Sequence, residues 1–407
     1  MFENILHQNA ADLLRSDILA GTLPGAILLA GPEAAGKLSC ALETARVLSC
    51  TAQTRGRWSC QCRSCRRHRS LVPSNMLIVG ARDCMTEIRA AKAVFLASTG
   101  NPSYAEATRF LFVRSVRKLT LRFEQVLWED DDKLPKFSPA LTQLNELLEE
   151  LDAGRQLPEQ ARLEKKCARL EELCAKLEDG FLYDALPVAQ VRRASEWARM
   201  TSAEGKKILI VENADRMQES ARNAMLKILE EPPADMLFIL SACRRGAVMQ
   251  TILSRVRTYT FTERTAEQQA QVVERVFHNV AGNGSSAEGM GIKELLRTFL
   301  PVPQSAVHAA ADSFFSSLLQ AQVPDTDALL KACGDFKPQS LSEIFFERVM
   351  QHCAALAQKN PQHCAVATEL AALLRNTRSS ITVYNQGARA ALEELSTSAA
   401  AVLRQPL

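Results

Sequence analysis

The chain predicts an α/β fold on a parallel sheet, continued by an all-helical C-terminal part. Three observations lead there. Short apolar runs of strand length alternate with helical segments, a glycine-rich loop joins the first run to the next helix, and beyond Val256 the β signal fades.

Residues 26–30 (Ala-Ile-Leu-Leu-Ala) are apolar throughout, as a strand covered on both faces must be, and they end at Gly31. Residues 37–48 read as a helix. Met76–Val79, Ile208–Val211 and Met236–Leu240 are further strand candidates. Between the second and third, residues 104–128 carry Phe110, Val113, Leu119, Phe123 and Leu127 at helical spacing. Leu141, Leu144, Leu148 and Leu151 then recur in steps of 3, 4 and 3. After Gly154 and Pro158 the rhythm returns as Leu163, Cys167, Leu170, Cys174 and Leu177, the seam of an antiparallel helical hairpin. The expectation is an insertion, about 84–185, that protrudes from the core. Residues 264–300 read as a small helical unit with a Gly/Ser-rich piece, Ala281 to Gly291. Residues 301–407 are Ala/Leu-rich and helical, and no internal repeat is found.

With 407 residues the chain can form roughly two to four domains. Its 47% apolar and 23% charged residues are a soluble globular composition. No apolar run nears the roughly 20 residues of a membrane span, and the N-terminus lacks a basic-then-apolar signal. The expectation is a cytoplasmic protein with no membrane contact. A net charge of +3 does not announce a nucleic-acid binder. Local charge is less even: Arg55, Arg57, Arg63, Arg66, Arg67, His68 and Arg69 crowd together, and Glu129 to Asp132 form an acidic cluster. Solvated surface is the ordinary reading of both.

Gly31-Pro-Glu-Ala-Ala-Gly36-Lys37 matches G-x-x-x-x-G-K between a strand and a helix, the context a phosphate-binding P-loop requires. Loop N–H groups and the helix N-terminus favour phosphate, and Lys37 would reach its outer oxygens. The next position needs a hydroxyl for Mg²⁺ and holds Leu38. Ser39 comes one residue late, about 100° round the helix. At the end of the third strand a P-loop ATPase needs an acidic metal ligand and a water-activating Glu. The chain has Glu212 and Asn213; Glu212 can hold a metal, but Asn213 cannot take a proton. The fold is kept and hydrolysis is expected to be lost, while binding of ATP with Mg²⁺ stays open.

Twelve cysteines without a secretion signal argue against a disulfide framework. Cys50, Cys60, Cys62 and Cys65 fall within 16 residues; the other eight are scattered and read as small buried hydrophobes. Four thiolates hold Zn²⁺ tetrahedrally. Three readings stand: a structural zinc on all four, a site completed by His68, or no metal.

Downstream of the third strand come Ala214-Asp-Arg-Met217 and Ala221-Arg-Asn223-Ala-Met-Leu226-Lys227-Ile-Leu229-Glu230-Glu231-Pro232-Pro233. This closely resembles the N-A-L-L-K-x-L-E-E-P-P signature of bacterial DNA polymerase III clamp-loader subunits, the AAA+ proteins γ/τ and δ′. Gly21-Thr-Leu-Pro24, the P-loop, the cysteine cluster and Gln190-Val-Arg192 follow in that family's order. The resemblance covers roughly 1–82 and 186–260 well. It implies an α/β AAA+ P-loop core with a parallel sheet over 1–260, carrying a zinc module at 50–65. A helical lid would follow at 261–300 and a helical collar at 301–407, through which five subunits form an open ring.

The family's Ser-Arg-Cys motif corresponds to Ser254-Arg255-Val256, and its Arg reaches a neighbour's ATP, so Arg255 is an expected arginine finger. The family's second Cys-x-x-Cys step is shortened here to Cys60-Gln61-Cys62. Its lid arginine, in a Gly-Ser-x-Arg context, is missing from Gly284-Ser285-Ser286-Ala287. A lost hydroxyl, base and lid arginine beside a retained Ser-Arg imply a δ′-like stator. Its partners would be γ/τ, δ, the sliding clamp and primed DNA. Two rivals are an active γ/τ-like ATPase and a zinc-stabilised adaptor working outside replication through its insertion.

Overall fold

The strands β1 (Ala26–Ala30), β2 (Met76–Val79), β3 (Lys207–Val211), β4 (Met236–Ala242) and β5 (Arg257–Thr260) form one parallel sheet in the order β2-β3-β4-β1-β5. A computed structural model describes the chain except residues 81–82, 102, 184, 201–204, 283, 285, 321, 360–363, 383–385 and 404–407. Two units divide it, Met1–Leu296 and Arg297–Leu407.

The register sets Ala30 beside Ala242, and Val211 beside both Val79 and Leu240. The C-terminal ends of β1, β2, β3 and β4 therefore lie on one edge, where open α/β sheets gather their ligand groups. Alternation along the strands explains their unbroken apolar runs. Ile27, Leu29, Ile78, Ile208, Ile210 and Ile239 face the layer of helices Asn9–Ala20 and Lys37–Leu48. Leu28, Val79, Leu209, Val211, Phe238 and Leu240 face the opposite layer, which includes helices Met85–Ser98, Val188–Arg199 and Glu219–Glu230.

The hairpin is present as helices Leu134–Glu150 and Gln160–Phe181. It lies along helix Met85–Ser98, where Glu171 pairs with Arg89 and Lys92. Its seam residues Leu144, Leu148, Leu163, Cys167, Leu170, Cys174 and Leu177 belong to the same buried cluster as the sheet. An aromatic group locks it there: the Phe137 ring meets those of Phe123, Trp128 and Phe181 at 4.9, 5.0 and 5.6 Å. Edge-on aromatic pairs at such distances add to simple burial.

Strand β5 had no counterpart in the sequence reading. It is an edge strand in which Tyr259 alone is fully buried, so its apolar signal is one residue long. Beyond it, Thr265 and Gln268 cap the helix Ala266–Phe277 reciprocally, and a short helix follows at Ile292–Arg297. Ser285 of the Gly284–Ala287 stretch lies outside the described residues.

The second unit gathers helices Gln304–Leu319, Thr326–Ala332, Ser340–Lys359, Cys364–Thr382 and Ala388–Leu403 around Phe314, Phe336, Leu341, Phe345 and Leu392. Among the described residues no helix is long and apolar enough to cross a membrane.

Candidate phosphate loop, cysteine cluster and finger arginine

The loop after β1 passes from Gly31 to Gly36, whose φ of 93° is a left-handed conformation that glycine adopts without a Cβ clash. Helix Lys37–Leu48 begins there. The Lys37 ammonium is buried and donates to the carbonyls of Gly31 at 2.6 Å and Pro32 at 2.5 Å. Leu38 is buried in the apolar layer under the loop, and Ser39 is exposed.

A second cation fixes the loop from behind. Arg264, just past β5, donates to the carbonyls of Ala34 and Ala35 at 3.0 Å each and to that of Leu6 at 2.9 and 3.1 Å. Burial lowers the pKa of its guanidinium, and those carbonyls replace the lost water. On the solvent side, the Glu33 carboxylate lies 3.6 Å from both Arg216 and Lys293. Sequence reasoning missed Arg264, which carries no motif.

At the end of β3, Glu212 is buried, and its carboxylate forms an ion pair with Arg122. Arg122 also donates to the Gly80 carbonyl at 3.0 Å, and its own carbonyl accepts from Trp128 Nε1 at 2.8 Å. Gly80 must be glycine: a Cβ there would come within 2.3 Å of the Glu212 carbonyl oxygen. Asn213 follows in a left-handed conformation with its N–H 3.4 Å from Ser241 Oγ. Asp215 then ties β3 to β4, accepting from the N–H groups of Cys243 and Arg244 at 3.4 and 3.2 Å.

Mg²⁺ does not fit these residues. The helix position that should offer a hydroxyl packs Leu38 into the core, and the remaining carboxylate is occupied by a guanidinium. The available sequence signal for Arg122 was an arginine between two core residues, Leu121 and Phe123.

The sulfurs of Cys50, Cys60, Cys62 and Cys65 all lie within 4.8 Å of one another, with Cys50 and Cys60 at 3.8 Å. A tetrahedral zinc site with Zn–S of about 2.3 Å needs sulfurs roughly 3.8 Å apart, so the donor set fits Zn²⁺. The single-residue Cys60–Cys62 step does not keep either sulfur out of the group. His68 is not part of it; it is buried, and desolvation pulls its imidazole down to about 4.

Burial opposes ionisation of Cys62, but backbone N–H groups of Cys65 and Thr51 outweigh it and hold the thiol at about 6. Cys65 is pushed up, chiefly by burial. Arg46 approaches its sulfur at 3.2 Å while held by Glu43 at 2.6 Å.

Arg255 follows the short helix Gln250–Leu253 and is partly exposed. It donates to the Thr251 carbonyl at 2.7 Å, to Ser254 Oγ at 3.2 Å, and to Glu230 Oε1 at 2.7 Å. Glu230 ends helix Glu219–Glu230 within the Glu-Glu-Pro-Pro stretch. That stretch was recognised in sequence, but its hold on Arg255 was not.

Comparison with known proteins places the chain. The profile of the family described as "DNA polymerase III, delta subunit" matches residues 6–126 and 161–265, more than half of the chain, and passes over 127–160. The DNA polymerase III subunit delta′ of Haemophilus influenzae is 37% identical over 76 residues, 18% of this chain and 23% of that protein. The delta′ of Bacillus subtilis is 36% identical over 74 residues, 18% and 22% of the two chains. A gamma/tau subunit of Mycobacterium tuberculosis is 30% identical over 104 residues, 22% and 18%. The chain thus spans less than a quarter of the length of these curated relatives. A solved gamma-subunit-related protein of Thermotoga maritima is 15% identical with a TM-score of 0.26, over 55% of this chain and 81% of that one. The profile match carries the assignment: the chain belongs to the DNA polymerase III delta-subunit family of clamp-loader proteins.

Proposed function

We propose that the chain is a δ′-like stator of the DNA polymerase III clamp loader, which turns over no ATP itself and completes the site of a neighbour. The observation that carries this reading is the Arg122–Glu212 ion pair, which sets a fixed cation where an ATPase needs an exchangeable metal. Leu38 and Asn213 support it. A γ/τ-like motor would need that carboxylate and a proton acceptor beside it, and Asn213 cannot be one.

Its proposed partners are γ/τ and δ in a heteropentamer that loads the sliding clamp on primed DNA. Arg255 is then the group offered in trans. An arginine finger stabilises charge developing on the transferred phosphoryl group. Thr251 and Glu230 hold the guanidinium at the protein surface before a neighbour arrives. Zn²⁺ on Cys50, Cys60, Cys62 and Cys65 would cross-link the loop after helix Lys37–Leu48 to helix Arg63–Arg69. Its part is structural.

The test is steady-state ATPase of the isolated chain beside Lys37→Ala. Equal background rates are expected. Turnover that Lys37→Ala abolishes would return the chain to the motor class.

A further inference from the structure

Between Glu43 and Asp83 the chain has no acidic residue and eight arginines. Arg82 lies outside the described residues; the structure sorts the others by task. Arg46 serves the cysteines: it is buried, paired with Glu43, and within 3.2 Å of Cys65 Sγ. It also donates to the carbonyls of Gly56 at 2.7 Å and Arg57 at 3.0 Å, fixing the backbone of the loop that carries Arg55 and Arg57. Arg69 secures the same loop at the Trp58 carbonyl, and both guanidinium groups lie over the Trp58 ring, at 5.5 and 5.9 Å. From helix Ala105–Thr120, Arg114 and Arg117 donate to the carbonyls of Arg69 and Ser70 at the end of helix Arg63–Arg69.

Arg55, Arg57, Arg63 and Arg66 have none of these duties. All four are exposed, and among the described residues none bonds a thiol, a carbonyl or a carboxylate through its side chain. Arg63 and Arg66 are three apart on the short helix and share a face with Arg67. Stabilising thiolates does not account for four exposed guanidiniums on one acid-free stretch of chain. Such a surface is complementary to a polyanion. The fork of N–H donors on arginine matches phosphate oxygens, and a surface of this kind reads backbone charge rather than base sequence.

We propose that the exposed face of the cysteine module binds the sugar-phosphate backbone of DNA through Arg55, Arg57, Arg63 and Arg66. The proposal rests on this chain's own charge distribution and not on the stator reading, so either can fail without the other.

The experiment is fluorescence anisotropy of a labelled primed DNA duplex with the full chain, titrated over a range of KCl. Arg55→Gln, Arg57→Gln, Arg63→Gln and Arg66→Gln are combined in one variant. A control variant carries Gln at exposed Arg155, Arg162, Lys165 and Arg169, which removes the same charge elsewhere. Metal content and thermal midpoint, measured alongside, keep a misfolded module from being read as lost binding. The expected result is a salt-dependence slope shallower by about 0.9 for each phosphate that the first variant no longer neutralises. The control should retain the wild-type slope. Equal weakening of both variants, an unchanged slope in the first, or no DNA binding by the wild-type chain would overturn the proposal. So would equal capture of a polyglutamate peptide, which would identify the face as a site for acidic protein.

Discussion

The guanidinium of Arg122 rests on the carboxylate of Glu212, the two side chains being 2% and 5% exposed and 90 residues apart in sequence. A buried pair of this kind costs desolvation on both sides, and removing one partner strands the other as an uncompensated charge. Arg122→Met should therefore destabilise the chain by about 3–5 kcal/mol, while Arg122→Met with Glu212→Met should recover most of that loss. Urea unfolding of both variants checks it. A double variant no better than the single would mean that the pair is not coupled.

Arg255 and Glu230 make a second testable pair. In a reconstituted loader, Arg255→Ala should lower ATP turnover at the one neighbouring site by about a thousandfold, so that total ATPase falls by that site's share. Assembly, followed by gel filtration, should be intact. Glu230→Gln takes the charge out of the tether and leaves the guanidinium, so its effect should be smaller than that of Arg255→Ala. Unchanged ATPase in Arg255→Ala would withdraw the finger assignment.

The cysteine cluster predicts about one zinc per chain by elemental analysis. Cys62→Ser should lose metal and lower the thermal midpoint, because a structural zinc contributes directly to folding. His68→Ala should keep its metal, since His68 stands outside the sulfur group.

Glu178 gives the chain a pH response. Burial, and then the charge of Asp83, push its carboxyl up to about 8, while the unfolded chain ionises it near 4.5. Between those values the folded state holds a proton that the unfolded state has released. Stability therefore falls as pH rises through that window. Glu178→Gln keeps an acceptor for the Cys84 N–H, which lies 2.9 Å from Glu178 Oε2. Its unfolding midpoint should vary less from about pH 5 to about pH 8, and it should be the more stable chain at the upper end.

Much of this architecture can be read from local pattern. The strand at 26–30, the turn at Gly31–Gly36 and the hairpin seam are periodicities of a few residues, and each appears where the pattern places it. Arg122 could not be read this way, because it sits in a short turn 90 residues before Glu212 and only the fold brings the two together. Strand β5 escaped because an edge position exposes most of its side chains. Spacing shows the buried stripe of the hairpin without showing what it meets; helix Met85–Ser98 lies along it, through Arg89 and Lys92 on Glu171. The cysteine cluster was legible as a cluster, since its four thiols crowd within one short stretch.

Arg264 anchors the loop between Gly31 and Gly36 from within the fold. One side chain joins the backbone at Leu6, the loop at Ala34 and Ala35, and the segment that leaves β5. Three backbone stretches far apart in sequence thus share one guanidinium, so the shape of the loop is set by the fold around it as well as by its own glycines.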